Sequence, residues 1–131
     1  MRRAGLDYWD LLTIHHYDSL DHLLATHDRA GLVLFSSKAH TVYTEPDYPR
    51  DAFLVFGSET AGLDEAFLRD HPGPVVRIPT VAPARSLNLS NAVAVAAYEC
   101  ARQHAFAGLE TRRATLHEPG SSQGAEIRRN E

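Results

Sequence analysis

Cysteine, methionine and tryptophan are almost absent from this sequence, which has one of each. The single cysteine, Cys100, cannot form an internal disulfide, and it leaves no paired cysteines for a structural zinc site. It lies within a mostly apolar segment, which favours a small core residue over a reactive thiol. We therefore expect a cytoplasmic protein.

An excess of positive charge and a long apolar run are also missing. Lysine and arginine number 13 against 17 aspartates and glutamates, so the formal net charge is −4. Such a chain does not bind nucleic acid through its overall charge, and any RNA contact must come from local cationic side chains. No apolar run approaches the roughly 20 residues that cross a bilayer, and residues 1–9 lack the apolar core of a signal peptide. What remains is one ordinary globular domain.

Continuous apolar runs predict the strands of this domain. They lie at residues 32–35, 52–56 and 75–78, and a fourth short strand is plausible at residues 11–15. Runs that are apolar at every position are typical of parallel strands covered on both faces. Residues 36–50 contain two prolines and are predicted to be a loop.

Helices are predicted between these strands. Asp18 followed by Asp21 resembles a capping box before a first helix that ends near Gly31, and a short second helix follows residue 63. A third helix spans residues 89–104, with Asn88 or Ser90 as its N-cap. The order of elements indicates an α/β domain over residues 1–107, and the polar residues 108–131 are expected to be a disordered tail.

The third helix has no polar face over residues 92–98. A helix that is apolar all round is buried on all sides, either in a core or in an oligomer interface. The sequence alone leaves both alternatives open.

Two loops stand where ligands bind in open α/β sheets, beyond the carboxyl ends of strands. The first, residues 57–63, is Gly-Ser-Glu-Thr-Ala-Gly-Leu, and the second, residues 85–91, is Arg-Ser-Leu-Asn-Leu-Ser-Asn. Taken alone, a strand–glycine–helix turn is more often structural than functional. In the second loop, capping of the helix explains Asn88 or Ser90 but not Arg85 and Ser86, which precede the cap.

Other chemistries fit the sequence less well. The four histidines at positions 15, 16, 22 and 27 have no compact metal-ligand spacing, so we expect no metal. A serine hydrolase would need Ser58 or Ser86 beside a histidine, and Ser58 stands one place too early for a nucleophile elbow.

The two loops and their flanks together resemble a known family. The matching residues are Leu54-Val55-Phe56-Gly57-Ser58-Glu59-Thr60-x-Gly62-Leu63, Ile78-Pro79, Arg85-Ser86-Leu87-Asn88-Leu89-Ser90-Asn91-Ala92-Val93 and Tyr98-Glu99. At this spacing they resemble the SPOUT superfamily of RNA methyltransferases, and within it the tRNA (cytidine/uridine-2′-O)-methyltransferases of the wobble nucleotide. Residues 2–9 resemble the linking segment of those enzymes, so the similarity runs from residue 2 to about residue 103.

The resemblance implies a fold, a cofactor and an assembly. The fold is the SPOUT-type α/β knot, with a deep C-terminal trefoil knot around a mostly parallel sheet. The cofactor is S-adenosyl-L-methionine, and the RNA partner is the anticodon loop of tRNA. The helix 89–104, around Tyr98, would form a homodimer interface across which each active site is completed. The implied reaction is 2′-O-methylation of the wobble ribose of cytidine or uridine.

The resemblance also implies site residues. The cofactor pocket would be lined by Phe35, Gly57, Ile78 and Ser86. The reacting ribose and the catalytic arginine would be organised by Glu59, Ser86 and Asn88. Separately from the resemblance, the cationic side chains that are candidates for RNA contacts are Arg2, Arg3, Lys38 and Arg85.

One part of the family pattern is missing from this sequence. The family begins with a strand and a helix that carry an Asn…Arg motif, whose arginine is thought to help deprotonate the ribose 2′-hydroxyl. No arginine here replaces it by motif, and only Arg2, Arg3 and Arg85 are candidates. Because the loss of a strand and helix exposes a sheet edge and apolar surface, we expect the 131-residue chain alone to be poorly soluble and without methyltransferase activity.

The alternative function is a non-catalytic, dimeric remnant that binds cofactor or RNA. One observation separates the two: whether the DNA upstream of Met1 encodes, in frame, a strand and helix with the Asn…Arg motif. The loops for cofactor binding lie within the present chain under both alternatives.

Overall fold

The structure is a computed structural model that describes residues 9–28, 31–84 and 86–112. The elements in chain order are a 3-10 helix (Trp9–Leu11), α1 (Leu20–Thr26), β1 (Leu32–Phe35), β2 (Thr41–Val42), β3 (Phe53–Phe56), α2 (Glu65–Asp70), β4 (Val75–Arg77) and α3 (Leu89–Gln103). The four strands form one sheet in the order β2-β4-β1-β3, and every neighbouring pair is parallel. The prediction of an α/β domain with a parallel sheet is confirmed.

The centre of the sheet explains the continuous apolar runs. β1 lies between β4 and β3, and Leu32, Val33 and Leu34 have no exposed surface. Val76 of β4 is equally buried. Because both faces of these strands are covered, every position must be apolar, which removes the alternation seen in half-exposed strands.

The core continues from the sheet towards α3. Phe35, at the end of β1, packs its ring on Phe56, with 4.7 Å between centroids and 18° between planes. Tyr48 and Ala96 of α3 belong to the same buried cluster. α3 therefore closes one face of the sheet, above the ends of β1 and β3.

Three of the predicted local features are wrong. Residues 11–15 form no strand: Leu11 ends the 3-10 helix, and residues 12–15 pair with none of the four described strands. Leu11, Leu12 and Ile14 are exposed. Residues 36–50 do contain a strand, the two-residue β2, which exists through its pairing with β4.

The third correction concerns α1. Its N-cap is Ser19, whose Oγ accepts from the backbone N–H of His22 at 3.1 Å, rather than Asp18. The helix ends at Thr26 with His27 as C-cap, well before Gly31. A hydroxyl one residue further on provides the better-placed acceptor for the first free N–H groups.

α3 is buried on one side only. Ala96 and Glu99 are buried, whereas Val93 is 41% exposed and Tyr98 is 66% exposed. Complete burial of this helix in the core of one chain is therefore wrong. The prediction of a tail over residues 108–131 mostly falls on 113–131, which lie outside the described residues.

Cys100 lies on α3, half-buried and packed against the core cluster. Burial, with a smaller contribution from the Glu99 carboxylate, raises the pKa of its thiol. Because the thiolate is the reactive form, we expect iodoacetamide at pH 8 to alkylate Cys100 several-fold more slowly in the folded protein than in the same protein unfolded in urea. Equal rates in the two states would show that the thiol is accessible and unperturbed.

Candidate functional site

A cavity of about 710 Å³ opens at the carboxyl ends of β1, β3 and β4. Its walls come from the segments that follow β1, β3 and β4 and from the first turn of α3. The lining residues are Phe35, Ser36, Ser37, Lys38, Phe56, Gly57, Ser58, Glu59, Thr60, Ala61, Gly62, Leu63, Ile78, Ser86, Leu87, Asn88, Leu89 and Ala92. Parallel strands place their carboxyl ends along one edge, which is why loops distant in sequence meet here.

The loop after β3 is a tight turn that only glycine permits at its first position. A Cβ built on Gly57 would stand 2.0 Å from the carbonyl carbon of Gly62 and 2.3 Å from the backbone nitrogen of Leu63. Gly62 itself has a φ of +67°, in the left-handed region. The turn is held by the Gly62 N–H, which donates to the Ser58 carbonyl at 3.0 Å, and by the Ala61 N–H, which donates to the Ser58 Oγ at 3.1 Å.

The opposite wall is the start of α3. The Asn88 Oδ1 accepts from the backbone N–H of Ser90 at 3.0 Å and from the Ser90 hydroxyl at 2.6 Å. Asn88 is thus the N-cap, as one of the two predicted alternatives states. Asn88 also lines the cavity, as Ser86 does, so one residue both starts the helix and lines the site.

The cap can be tested directly. Asn88→Ala leaves the first N–H groups of α3 without a side-chain acceptor, and we expect the free energy of unfolding to fall by about 1 kcal/mol. Asn91→Ala, at an exposed position within the same helix, serves as control and should leave stability unchanged or slightly higher. Urea unfolding measures both. An equal loss in the two variants would remove the special role of Asn88.

Lys38 lies at the cavity wall and forms an ion pair with Glu65 in the first turn of α2. The Lys38 ammonium, through its hydrogen bond and its charge, lowers the pKa of the Glu65 carboxyl. Both side chains are more than 60% exposed, so the pair is screened by water and contributes little to stability. Lys38 can therefore exchange this partner for another anion at small cost.

The structure brings most of the predicted site residues together. Phe35, Gly57, Ile78 and Ser86 all line the cavity. Glu59, Asn88 and Lys38 line it as well. Arg2, Arg3 and Arg85 lie outside the described residues.

Sequence reasoning missed part of the cavity wall. Phe56, the last residue of β3, and Ser36 and Ser37, which follow β1, also line the cavity. They could have been found from the sequence, because each lies at or just after the carboxyl end of a predicted strand. The same position identified Gly57.

The geometry does not support the hydrolase alternative. Ser58 and Ser86 both line the cavity, but none of its lining residues is a histidine. Within the described ranges, no three His, Cys, Asp or Glu side chains converge as metal ligands do. In that same part of the chain, no helix has the length and apolarity that a membrane span requires.

Comparison with known proteins agrees with this arrangement. The family model described as the SpoU rRNA methylase family matches residues 1–98, three quarters of the chain. The chain belongs to the SpoU rRNA methylase family. The resemblance to RNA methyltransferases is therefore confirmed.

Curated relatives are similar over most of this SpoU-family chain. A protein of Geobacillus stearothermophilus, provisionally named a tRNA (cytidine(34)-2′-O)-methyltransferase, is 40% identical over 112 residues, covering 83% of this chain and 71% of the relative. A tRNA (cytidine(34)-2′-O)-methyltransferase of Yersinia pestis is 39% identical over 114 residues, covering 82% and 70%. The chain thus spans somewhat more than two thirds of these two relatives.

A solved structure has the same fold. The structure described as giving insight into the 2′-OH methylation of C/U34 on tRNA superposes with a TM-score of 0.72 at 39% identity, covering 79% of this chain and 64% of the solved one. The parallel α/β sheet of the SpoU-family chain therefore matches that of an RNA methyltransferase.

Proposed function

We propose that this chain performs S-adenosylmethionine-dependent 2′-O-methylation of the wobble-position ribose, cytidine or uridine, in tRNA. The observation that carries the proposal is the shared cavity, in which the Gly57 turn and the start of α3 form opposite walls. The names of the relatives support the choice of tRNA and of nucleotide 34.

The cavity fits a nucleoside-sized cofactor. Its volume of about 710 Å³ lies within the roughly 300–1,000 Å³ of small-molecule sites. It combines aromatic and aliphatic walls, such as Phe35 and Ile78, with backbone groups of the side-chain-free turn at Gly57 and the polar Ser86. These four residues would hold S-adenosylmethionine, which supplies a methyl group on a positively charged sulfur.

The polar residues of the cavity would act on the ribose. Methyl transfer requires the 2′-oxygen in line with the methyl group, and positioning provides much of the rate. Ser86 and Asn88 lie on the α3 side of the cavity, and Glu59 lies on the opposite turn. A ribose hydroxyl is a weak acid, so Glu59 would accept its hydrogen bond while a cationic neighbour helps remove the proton.

The RNA backbone would be held by local positive charge. Lys38 lies at the cavity wall, where its exchange of Glu65 for a phosphate keeps its charge paired. Arg2, Arg3 and Arg85 remain candidates for further phosphate contacts, and Arg85 directly precedes the cavity-lining Ser86 in sequence.

We include the trefoil knot in the proposal. The chain leaves β4, passes the cavity opposite the Gly57 turn and enters α3, which packs back against β3. This path alone is compatible with a threaded or an unthreaded chain, and the knot is proposed because the chain belongs to the SpoU family. An experimentally phased electron-density map of this chain, traced through residues 57–103, would show a threaded or an unthreaded path.

A homodimer through α3 belongs to the same proposal. The helix leaves Val93 and Tyr98 exposed, and small alanines between them permit a second helix to approach closely. Aromatic side chains of this kind are frequent at the centres of interfaces. A covered α3 would satisfy the sequence-based expectation that this helix is buried on all sides.

Replacing Tyr98 by aspartate tests the dimer. A buried, unpaired carboxylate opposes association, so we expect Tyr98→Asp to convert a dimer into a monomer in light scattering coupled to size exclusion. Val81→Asp introduces the same charge at an even more exposed apolar residue, in the loop before α3, and should leave the dimer intact. A wild-type chain that is itself monomeric would refute the interface.

The proposed reaction is best tested under single-turnover conditions, with the protein in excess over tRNA transcripts and with methyl-labelled cofactor. Positioning alone accelerates a reaction, so slow labelling confined to the 2′-oxygen of nucleotide 34 is the expected result, with mass spectrometry of nuclease fragments as readout.

The other outcomes of this experiment also decide between functions. Binding of S-adenosylhomocysteine without label at nucleotide 34 would favour the non-catalytic remnant. Failure to bind S-adenosylhomocysteine in calorimetry would contradict both the enzyme and the cofactor-binding remnant.

A further inference from the structure

A polar cluster around one buried carboxylate lies on α3 outside the cavity. We call it the α3 clamp and define it as Glu99, Arg102 and Gln103. Glu99 is only 7% exposed, although it carries a carboxylate. The Arg102 guanidinium donates to it twice, from Nε and Nη2, each at 2.8 Å, and the Gln103 Nε2 donates to it at 3.0 Å.

The α3 clamp holds the segment that precedes β3. The Gln103 Oε1 accepts from the backbone N–H of Tyr48 at 2.8 Å, and the Gln103 Nε2 donates to the Pro46 carbonyl at 3.0 Å. The amide therefore has a donor facing its oxygen and two acceptors facing its nitrogen. Glu99 enforces this orientation because its carboxylate only accepts.

Tyr48 carries the contact from the α3 clamp to the cavity. It is buried, its hydroxyl donates to the Tyr43 carbonyl at 2.6 Å, and its ring meets Phe35 edge to face with 6.5 Å between centroids. Phe35 in turn stacks on Phe56, and both rings line the cavity. An unbroken series of contacts thus joins Gln103 to the aromatic wall of the site.

The protonation states of the Tyr48 hydroxyl and the Glu99 carboxyl keep the hydrogen bonds of this series in place. Burial, followed by the Glu99 carboxylate, raises the pKa of the Tyr48 hydroxyl, so it remains a donor to Tyr43 at neutral pH. The hydrogen bond from Arg102 lowers the pKa of the Glu99 carboxyl, so it remains an acceptor for Gln103. Neither group changes its hydrogen-bonding role near pH 7.

We infer that Gln103 is a positioning residue for the ligand of the cavity, acting through Tyr48 on the aromatic wall formed by Phe35 and Phe56. The inference rests on the proposed function in taking that ligand to be the adenosyl cofactor. By this inference, the end of α3 controls how tightly the cofactor binds, although it lies on the far side of Tyr48 from the cavity.

Two substitutions and a rescue test this role. Gln103→Glu removes the donors to the Pro46 carbonyl and to Glu99 and places a second carboxylate beside Glu99. The repulsion between the two carboxylates displaces the side chain at position 103, so Tyr48 loses its anchor. We expect the Kd for S-adenosylhomocysteine to rise roughly tenfold, because buried groups are left unpaired. In the Glu99→Gln/Gln103→Glu double variant, the carboxylate at position 103 again accepts from Tyr48 and receives a donor from position 99, and the Kd should return to within about threefold of the wild type.

A charge-matched control and a second measurement complete the design. Asn91→Asp adds the same charge to α3 outside the cavity lining and should leave the Kd unchanged. Incorporated 4-fluorophenylalanine reports the wall directly by ¹⁹F NMR. The Phe35 and Phe56 signals should shift in Gln103→Glu, whereas the signal of Phe67 on α2 should not.

The results separate this inference from the proposed function. An unchanged Kd in Gln103→Glu, together with unmoved Phe35 and Phe56 signals, would overturn the inference even if the wild type binds S-adenosylhomocysteine. A wild type that does not bind it would refute the proposed cofactor, and the ¹⁹F shifts alone would then decide whether the α3 clamp positions the wall. A variant that is merely less stable would keep the wild-type Kd well below its melting temperature, and the inference would be wrong.

Discussion

Replacing Gly57 by alanine is expected to abolish binding of S-adenosylhomocysteine. The added Cβ would stand 2.0 Å from a backbone carbon of Gly62 and 2.3 Å from the Leu63 nitrogen. These neighbours are backbone atoms, so the clash cannot be relieved by a side-chain rotation and the whole turn must move. Because the displaced turn no longer presents its backbone groups to the ligand, calorimetry should detect no binding at concentrations that saturate the wild type.

The effect of Gly57→Ala on stability should be smaller. Forcing atoms into a filled space typically costs about 1–3 kcal/mol, which urea unfolding would measure. Gly31→Ala is the matched control, because the nearest atom to its Cβ is 4.0 Å away. It should leave both affinity and stability unchanged. Wild-type affinity in Gly57→Ala would mean that this turn does not contact the ligand.

Replacing Phe35 by alanine is expected to have the largest effect on stability. The ring is 7% exposed, stacks on Phe56 and meets Tyr48 edge to face. Removing such a ring from a core costs about 3–5 kcal/mol, a large part of the roughly 5–15 kcal/mol that holds a domain folded. The variant should also lose cofactor binding, because the same ring lines the cavity.

Two controls interpret the Phe35 result. Phe53→Ala removes the same ring from the start of the edge strand β3, where it is 39% exposed, and should cost clearly less. Phe35→Leu keeps an apolar side chain and should retain folding while weakening binding. If Phe35→Ala and Phe53→Ala lose equal free energy in urea unfolding, the aromatic core assigned to Phe35 is wrong.

The sheet was predictable because burial determined its sequence. Leu32, Val33, Leu34 and Val76 are all fully buried, so continuous apolar runs marked β1 and β4. β2 was not predictable, since two half-buried residues carry no pattern and only their pairing with β4 makes them a strand. Residues 11–15 show the reverse error, because β-branched and apolar residues are not a strand without a neighbour to pair with.

The site was predictable in its loops but not in its supports. Gly57, Ser86 and Asn88 follow or precede recognisable elements, and the topology of parallel strands brings them together. The α3 clamp was not predictable, since Glu99 was matched only as part of the Tyr98-Glu99 pair and Gln103 reads as an ordinary polar position late in a helix. Their role depends on the placement of Pro46 and Tyr48, more than 50 residues away in sequence, which only the folded chain determines.

The most direct test of the account is a crystal structure of this chain with S-adenosylhomocysteine. We predict the ligand between the Gly57 turn and the start of α3, in contact with backbone groups at Gly57 and Ser86 and beside the Phe35 ring. A ligand bound elsewhere on the molecule, with this cavity vacant, would contradict the central claim.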